Sequence, residues 1–177
     1  MRYFYHYTSK ENWNDIQKSK VLLPRTHIYK EHLKHFSAKT KAIVKFSRYT
    51  VCFPKIRHKG WVECGLWDEI FRLIKCEVLL KIKIPNNSKG FVREHLYCSQ
   101  KGMQQKYGKD IYHFGYSGKI SVKDPRIIKP LHNYWNAVVP LSEYKDNFIV
   151  PEVWIPEEIK LEDIEKIPLQ KYPHTFL

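Results

Sequence analysis

The chain of 177 residues lacks any long hydrophobic run, although 43% of its residues are hydrophobic. No stretch of about 18 consecutive apolar residues occurs, which is the length that a membrane-spanning helix requires. The N-terminus enters a strand-like pattern directly, without the apolar segment and small-residue cleavage site of a secretory signal. We therefore expect a cytoplasmic protein that does not insert into membranes.

Cysteine is also scarce, and its spacing excludes two classes of site. The four cysteines are Cys52, Cys64, Cys76 and Cys98. They form neither a pair of Cys-x-x-Cys motifs, as in zinc domains, nor the dense framework of a small secreted protein. Free, buried thiols in a reducing compartment are the expected state.

Glycine-rich phosphate loops and acidic metal clusters are missing as well. There is no Gly-x-Gly-x-x-Gly motif, which argues against a dinucleotide fold of that type and against a kinase-like site. His27, His32 and His35 could share a helix face, but Glu31 is the single acidic residue among them, and Lys30 and Lys34 would repel a cation. We expect no metal site.

Basic residues, in contrast, are abundant and unevenly distributed. Residues 1–60 hold 14 Lys and Arg against three Asp and Glu, whereas residues 144–177 hold four against seven. A basic half on a folded domain is a typical footprint of a polyanion partner, because each neutralised phosphate releases counterions. A Lys-rich but otherwise ordinary surface remains the alternative.

The pattern of short strands and helices predicts one α+β domain over residues 1–177, and we expect a monomer. Alternating or continuous apolar runs predict several strands. The strand predictions are Arg2–Thr8, Val21–Leu23, Ala42–Phe46, Tyr49–Phe53, Cys76–Ile84, Ala137–Leu141 and Phe148–Ile155. The helix predictions are a first helix that starts at Ser9, a second over Leu66–Ile74 and a short terminal one over Leu161–Ile167, whereas residues 26–40 indicate a solvated helix or loop with little core.

Two segments carry the candidate chemistry. On the first strand, side chains alternate, so His6 and Thr8 share a face, which we interpret as lining a cleft, while Tyr7 faces the other way. On the last long strand, Glu152 lies within the apolar run Phe148–Val153. A buried carboxylate there costs several kcal/mol unless it is paired or used, and an edge strand that points it to solvent is the structural alternative. His6 could equally be a core histidine that donates to a backbone carbonyl.

The order of these parts resembles the ADP-ribosyltransferase superfamily. The shared features are His-Tyr-Thr-Ser on the first strand, a helix, an extended Leu-Leu-Pro, and a late Glu followed by Pro, Leu and an Ile-rich segment. Single-domain, toxin-like bacterial members with a His-Tyr…Glu arrangement are the most similar. The resemblance implies a split, mixed β-sheet core with flanking helices and NAD as the substrate that donates ADP-ribose.

The resemblance also implies roles for individual residues. Glu152 would be catalytic and would stabilise the oxocarbenium-like transition state, while His6 and Thr8 would bind NAD. Arg25 could hold the pyrophosphate in bidentate contacts, with a solvated loop arginine as the alternative. For the aromatic residue that stacks on nicotinamide we favour Tyr49, although core packing is the alternative and Phe53, Trp61 and Trp67 are further candidates.

The acceptor of ADP-ribose stays open at the level of sequence. In many members a Glu or Gln lies two residues before the catalytic Glu; here that residue is Val150, which argues against arginine-specific transfer. The basic N-terminal half would approach the acceptor and is compatible with nucleic acid in that role. A toxin or effector role fits a small, single-domain enzyme of the kind that the resemblance implies. Two alternatives are a nucleic-acid-binding domain, non-enzymatic or nucleolytic, and an NAD-dependent RNA 2′-phosphotransferase.

Overall fold

The structure is a computed structural model, and it describes residues 1–28, 30–56, 76–95, 132–133 and 135–169. In these ranges the chain forms ten strands and three α-helices, which confirms the α+β class. The strands are β1 (Arg2–Thr8), β2 (Val21–Leu22), β3 (Thr26–His27), β4 (Arg48–Cys52), β5 (Val78–Ile84), β6 (Phe91–Glu94), β7 (Val138–Pro140), β8 (Pro151–Ile155), β9 (Ile159–Lys160) and β10 (Ile164–Ile167). The helices are α1 (Lys10–Ser19), α2 (Lys30–Leu33) and α3 (Ala38–Ile43). None of the helices in these ranges is long and apolar enough to cross a membrane.

A three-stranded sheet in the order β1-β5-β10 forms one layer. Its central strand β5 reads Val-Leu-Leu-Lys-Ile-Lys-Ile, and the lysines alternate with the buried residues Leu80, Ile82 and Ile84. That period of two gives the sheet one apolar face and one face that carries Lys81 and Lys83. The predicted strand over Cys76–Ile84 is confirmed apart from its first two residues.

A five-stranded sheet in the order β3-β4-β8-β6-β7 forms the second main layer, and β2 pairs with β9 separately. Each strand pair that the structure describes is antiparallel, so the expected mixed sheet is not what these ranges contain. β8 has a neighbour on both sides, which makes it a central strand. The alternative of an edge-strand Glu152 that points to solvent is therefore wrong.

The main core lies between the two sheets. Alternate residues of β5 and β8 meet there, together with one buried residue each from β1, β4 and α1, which are Phe4, Cys52 and Ile16. The fully buried members of this cluster include Leu80, Cys52, Val153 and Ile155. The sheets are joined at one edge by a bridge between Tyr5 and Phe53, where the backbone N–H and C=O groups bond in both directions at 2.8 Å.

α1 begins and ends at well-defined caps. The Ser9 hydroxyl accepts a hydrogen bond from the backbone N–H of Asn12 at 3.1 Å, which confirms the predicted N-cap. The helix ends at Lys20, which has a left-handed backbone (φ 63°) and whose N–H donates the last helical hydrogen bond, to the carbonyl of Ile16 at 2.8 Å. Ile16 is the buried contact of the helix with the core.

Two element predictions are wrong. Residues 42–46 are not a strand, because α3 begins upstream, where the hydroxyl of Ser37 accepts from the N–H of Thr40, and it carries on to Ile43. Residues 161–167 are not a helix: after a single 3₁₀ turn, Ile164–Ile167 pairs with β5. In both cases a short apolar run suited either structure, and the distant partner decided between them.

The segment over residues 26–40 also differs from its prediction. It contains β3, α2 and the start of α3, and His32, His35, Phe36 and Thr40 are buried. The ring of Phe36 packs 4.6 Å from that of Trp135, a contact 99 residues distant in sequence that local composition could not reveal. The predicted helix over Leu66–Ile74 lies outside the described residues.

Candidate functional site

A cavity of about 230 Å³ is lined by the end of β1, the start of β4 and α1. Its lining comes from the four consecutive elements β1, α1, β2 and β3, with the loops between them, and from β4. The lining residues are His6, Tyr7, Thr8, Ser9, Asn12, Ile16, Ser19, Val21, Leu22, Leu23, Arg25, Thr26, Tyr49 and Thr50. The structure thus brings together all four residues that the sequence assigned to NAD, which are His6, Thr8, Arg25 and Tyr49.

His6 presents a neutral imidazole at this cavity. Its Nδ1 lies 2.8 Å from the carbonyl oxygen of Val51, and because a carbonyl can only accept, Nδ1 carries the proton. Burial lowers the pKa of His6 below its ordinary value of 6.5, and the hydrogen bond to Val51 opposes this only in part. Nε2 is therefore left as an acceptor near neutral pH, which suits a ribose hydroxyl as donor.

Two threonines contribute hydroxyl groups from neighbouring strands. Thr8 and Thr50 are each 3% exposed, and both line the cavity. The Oγ1 atom of Thr50 has no hydrogen-bond partner among the described residues, although it is buried. An unpartnered buried hydroxyl is costly, so a bound polar ligand would satisfy a group that the protein itself leaves unsatisfied.

Arg25 lies at the rim of the cavity, on the loop that follows β2. Its side chain is exposed, and its Nη1 atom is 3.4 Å from Oδ1 of Asn12, a second lining residue. The backbone of Asn12 is in turn fixed by the cap at Ser9. The guanidinium therefore has one anchor and keeps further donors for an anionic ligand.

Tyr49 lines the cavity but does not offer its ring to it. The ring is 0% exposed, lies 5.0 Å from Phe91 and 5.6 Å from Trp154, and its hydroxyl accepts from the N–H of Phe46 at 3.0 Å. No face is left for stacking in this structure, which matches the core-packing alternative. Phe53 is 6% exposed and packs edge-on against Tyr7, whereas Trp61 and Trp67 lie outside the described residues.

Glu152 belongs to a different site, a buried cluster on β6 and β8. Oε2 accepts from Nε and Nη2 of Arg93 at 3.2 and 2.9 Å and from Nε1 of Trp154 at 3.2 Å. Oε1 accepts from Nδ1 of His95 at 2.8 Å. The carboxylate is 3% exposed and is paired by these three side chains, which form the Glu152 cluster.

The electrostatics of the Glu152 cluster favour the ionised carboxylate. Burial alone would raise the pKa of Glu152, but attraction to His95 and Arg93, together with the hydrogen bonds from both, lowers that pKa well below its ordinary range. The guanidinium of Arg93 lies 4.2 Å from the ring centre of Trp135 and 4.1 Å from that of Trp154. Cation–π contacts of this kind stabilise a buried Arg.

The five-stranded sheet separates Glu152 from the core face on which the cavity lies. Val153 and Ile155 point into the core between the sheets, so Glu152 and Trp154 point to the opposite face. The backbones are nevertheless close. Cys52 pairs with Val153 in the antiparallel ladder, so the next residues on the two strands, Phe53 and Glu152, lie side by side. Phe53 in turn forms the bridge to Tyr5. At about 4.8 Å per strand, the backbone of Glu152 is on the order of 10 Å from that of Tyr5.

The sequence did not single out Thr50, Arg93 and His95 as site residues. Alternation on β4 could have identified Thr50, because Tyr49 and Thr50 cannot both face the cavity. The partners of Glu152 were beyond reach, since they lie 59 and 57 residues away along the chain. Within the described ranges, no group of three or more His, Cys, Asp or Glu side chains is arranged to hold a metal ion.

Comparison of the chain with protein-family models, with curated proteins and with solved structures found no match. The resemblance to ADP-ribosyltransferases therefore rests on the residues quoted above.

Proposed function

We propose that the protein is an NAD-dependent mono-ADP-ribosyltransferase that binds NAD in the cavity between β1, α1 and β4. The observation that supports this most is the convergence of His6, Thr8 and Arg25 on one cavity, next to the unsatisfied hydroxyl of Thr50. A neutral histidine and hydroxyl groups suit ribose, and an arginine at the rim suits a pyrophosphate.

In the proposed reaction the glycosidic bond between the ribose C1′ and nicotinamide breaks, and nicotinamide leaves with the electron pair. The acceptor nucleophile then bonds to C1′ and gives up a proton. Positive charge develops on the ribose before the new bond is complete, and a fixed carboxylate stabilises that charge.

The two halves of this proposal have different support. NAD binding is supported by the geometry of the cavity. Transfer through Glu152 is supported by the resemblance alone, because in the described conformation the carboxylate lies across the sheet and is paired with Arg93 and His95. The two halves are accordingly tested by different variants.

Calorimetric titration with NAD tests the binding half. We expect Arg25→Ala to weaken NAD binding about tenfold or more, since a hydrogen bond in which a charge takes part is worth roughly 1.5–3 kcal/mol. His6→Ala should weaken it about fivefold, since a hydrogen bond of the neutral imidazole is worth about 1 kcal/mol. The control is Lys166→Ala. Lys166 is an exposed residue of β10 that does not line the cavity, so its loss should leave the NAD affinity unchanged.

Thr50→Val gives the sharpest result, because its two effects have opposite signs. Removing a buried hydroxyl without a partner should raise the unfolding free energy of the free protein by about 1 kcal/mol. The same change should weaken NAD binding, because the ligand loses the partner that it would satisfy. Unchanged NAD affinity in His6→Ala, Arg25→Ala and Thr50→Val, or no binding by the wild type, would reject this site.

A further inference from the structure

A second groove, of about 460 Å³, lies between α3 and the turn that joins β5 to β6. On the helix side it is lined by Ala42, Ile43, Lys45 and Phe46. Across from them the lining comes from residues 88–90 and from Pro140 and Ser142. None of these residues lines the NAD cavity, so the two concave sites are distinct. We call this site the α3 groove.

Phe46 gives the α3 groove an exposed aromatic ring in a fixed position. The ring is 42% exposed, which is unusual for phenylalanine. Its backbone N–H donates to the hydroxyl of buried Tyr49 at 3.0 Å, and the two rings meet edge to face at 6.3 Å. Because the core holds this residue from behind, its outer side is available for a planar partner.

The charges around this ring are positive. Lys45 and Lys89 line opposite sides of the groove, and both are exposed. Lys39 lies one helical turn before Ala42 and Ile43 and so shares their face of α3. None of these three lysines forms an ion pair with another described residue.

The carboxylate of Glu157 lies at the turn between β5 and β6 and has partners there. Glu157 accepts from the hydroxyl of Ser88 at 2.7 Å and from the backbone N–H of Lys89 at 2.6 Å. Its charge is therefore directed at the turn between β5 and β6, where it fixes the backbone that carries Lys89. The lysine ammonium groups remain available to an anionic ligand.

We propose that the α3 groove binds single-stranded nucleic acid, with an unpaired base on Phe46 and phosphates at Lys45 and Lys89. An exposed ring between lysines is the arrangement that single-strand binders use, because any base can stack and the backbone supplies the negative charge. A duplex would hide the faces of its bases, so the groove selects against it. DNA and RNA share this chemistry.

This inference deepens the proposed function, since it names single-stranded nucleic acid as the acceptor class for the transferase. It rests on the proposed function only for that role. Binding to the α3 groove is measured without NAD, so failure of oligonucleotide binding and failure of NAD binding are separate results.

The test is fluorescence anisotropy with labelled dT and rU oligonucleotides of about 12 nucleotides, a length within the range that single-strand sites cover. We expect Phe46→Ala to weaken binding about five- to a hundredfold, and Phe46→Trp to preserve it, because loss of stacking on one base costs about 1–3 kcal/mol. Since the ring is exposed, both variants should fold, which circular dichroism checks.

The salt dependence tests the lysines. The double variant Lys45→Ala, Lys89→Ala should reduce the slope of log affinity against log salt by about 1.4, because each single-strand phosphate that is no longer neutralised lowers the slope by about 0.7. The control double variant Lys18→Ala, Lys166→Ala removes the same charge outside the groove and should change the slope far less. The DNA and RNA arms show which of the two binds more tightly.

Three results would overturn the proposal. The first is that Phe46→Ala binds the oligonucleotide as tightly as the wild type does, which would mean that binding is only non-specific attraction between charges. The second is that a duplex of the same sequence binds as tightly as the single strand. The third is that an acidic peptide of equal charge competes for the site as effectively as unlabelled oligonucleotide, which would favour a protein partner.

Discussion

Glu152 is unusual in the sequence, and its partners in the structure explain its position. A lone carboxylate in an apolar run has to be paired or used, and in the structure it is paired with Arg93, His95 and Trp154. The pairing explains how an ionised group can lie on the central strand β8. If Glu152 moved away, the buried guanidinium of Arg93 would lose the negative charge of this carboxylate.

Glu152→Gln should therefore destabilise the protein. Removing the carboxylate breaks its buried ion pair with Arg93, and breaking such a pair from one side costs about 3–5 kcal/mol. Chemical denaturation of wild type and variant measures this loss. Glu165→Gln is the control: Glu165 is exposed and pairs with Lys81 at 3.5 Å, so its loss should cost less than about 1 kcal/mol.

The rate of nicotinamide release from NAD tests the catalytic role of Glu152. If Glu152 is catalytic, Glu152→Gln should lower this rate about a hundredfold or more when wild type and variant are compared at equal folded fraction.

The same pairing predicts how stability depends on pH. Because the pKa of Glu152 is held well below its ordinary value of 4.5, the carboxylate stabilises the folded state fully above that value, and the stabilisation is lost as the pH falls below it. The difference in unfolding free energy between wild type and Glu152→Gln should shrink as the pH is lowered from about 5 toward 3. A difference that stays constant over this range would contradict the assignment.

At the scale of elements, α1 supplies one wall of the cavity proposed for NAD, and its two caps set where that wall lies. The C-cap residue Lys20 has a φ of 63°, a backbone conformation that glycine adopts without the steric cost that a Cβ brings. The carbonyl of Lys20 also accepts from the N–H of Leu161 at 2.9 Å, which ties the end of α1 to β9 and the turn after it.

Lys20→Gly should accordingly stabilise the protein by about 0.5–1 kcal/mol, because the left-handed conformation no longer has to accommodate a side chain. Lys18→Gly, two residues earlier and inside the helix, should instead cost about 1 kcal/mol. Thermal unfolding of both variants checks this pair. Shifts of the same sign for the two glycines would show that Lys20 does not adopt the left-handed cap in solution.

At the scale of the whole molecule, the sequence predicted the parts with strong periodicity and missed those that depend on distant partners. β1, β5 and β8 were predicted because their apolar residues are dense or alternate strictly. The run over residues 42–46 and the segment over residues 161–167 were too short to decide between helix and strand, and the cap at Ser37 and the pairing with β5 settled them.

The same limit applies to the candidate site. Alternation on β1 correctly gave His6 and Thr8 a common face, and their positions in the structure line the cavity. The partners of Glu152 could not be predicted, because only the register of β6 against β8 brings Arg93 beside it. Local pattern gives the face on which a side chain lies, whereas only the assembled sheets give what it meets there.

Photolabelling tests most directly whether NAD occupies the cavity between β1, α1 and β4, as we propose. An NAD analogue with a photoreactive azido group on its adenine is irradiated with the wild-type protein, and the labelled peptides are identified by mass spectrometry. We expect labels within residues 6–26 or 48–52, which contain the cavity lining, and suppression of these labels by unmodified NAD. Labels confined to other segments, or labelling that unmodified NAD does not suppress, would contradict it.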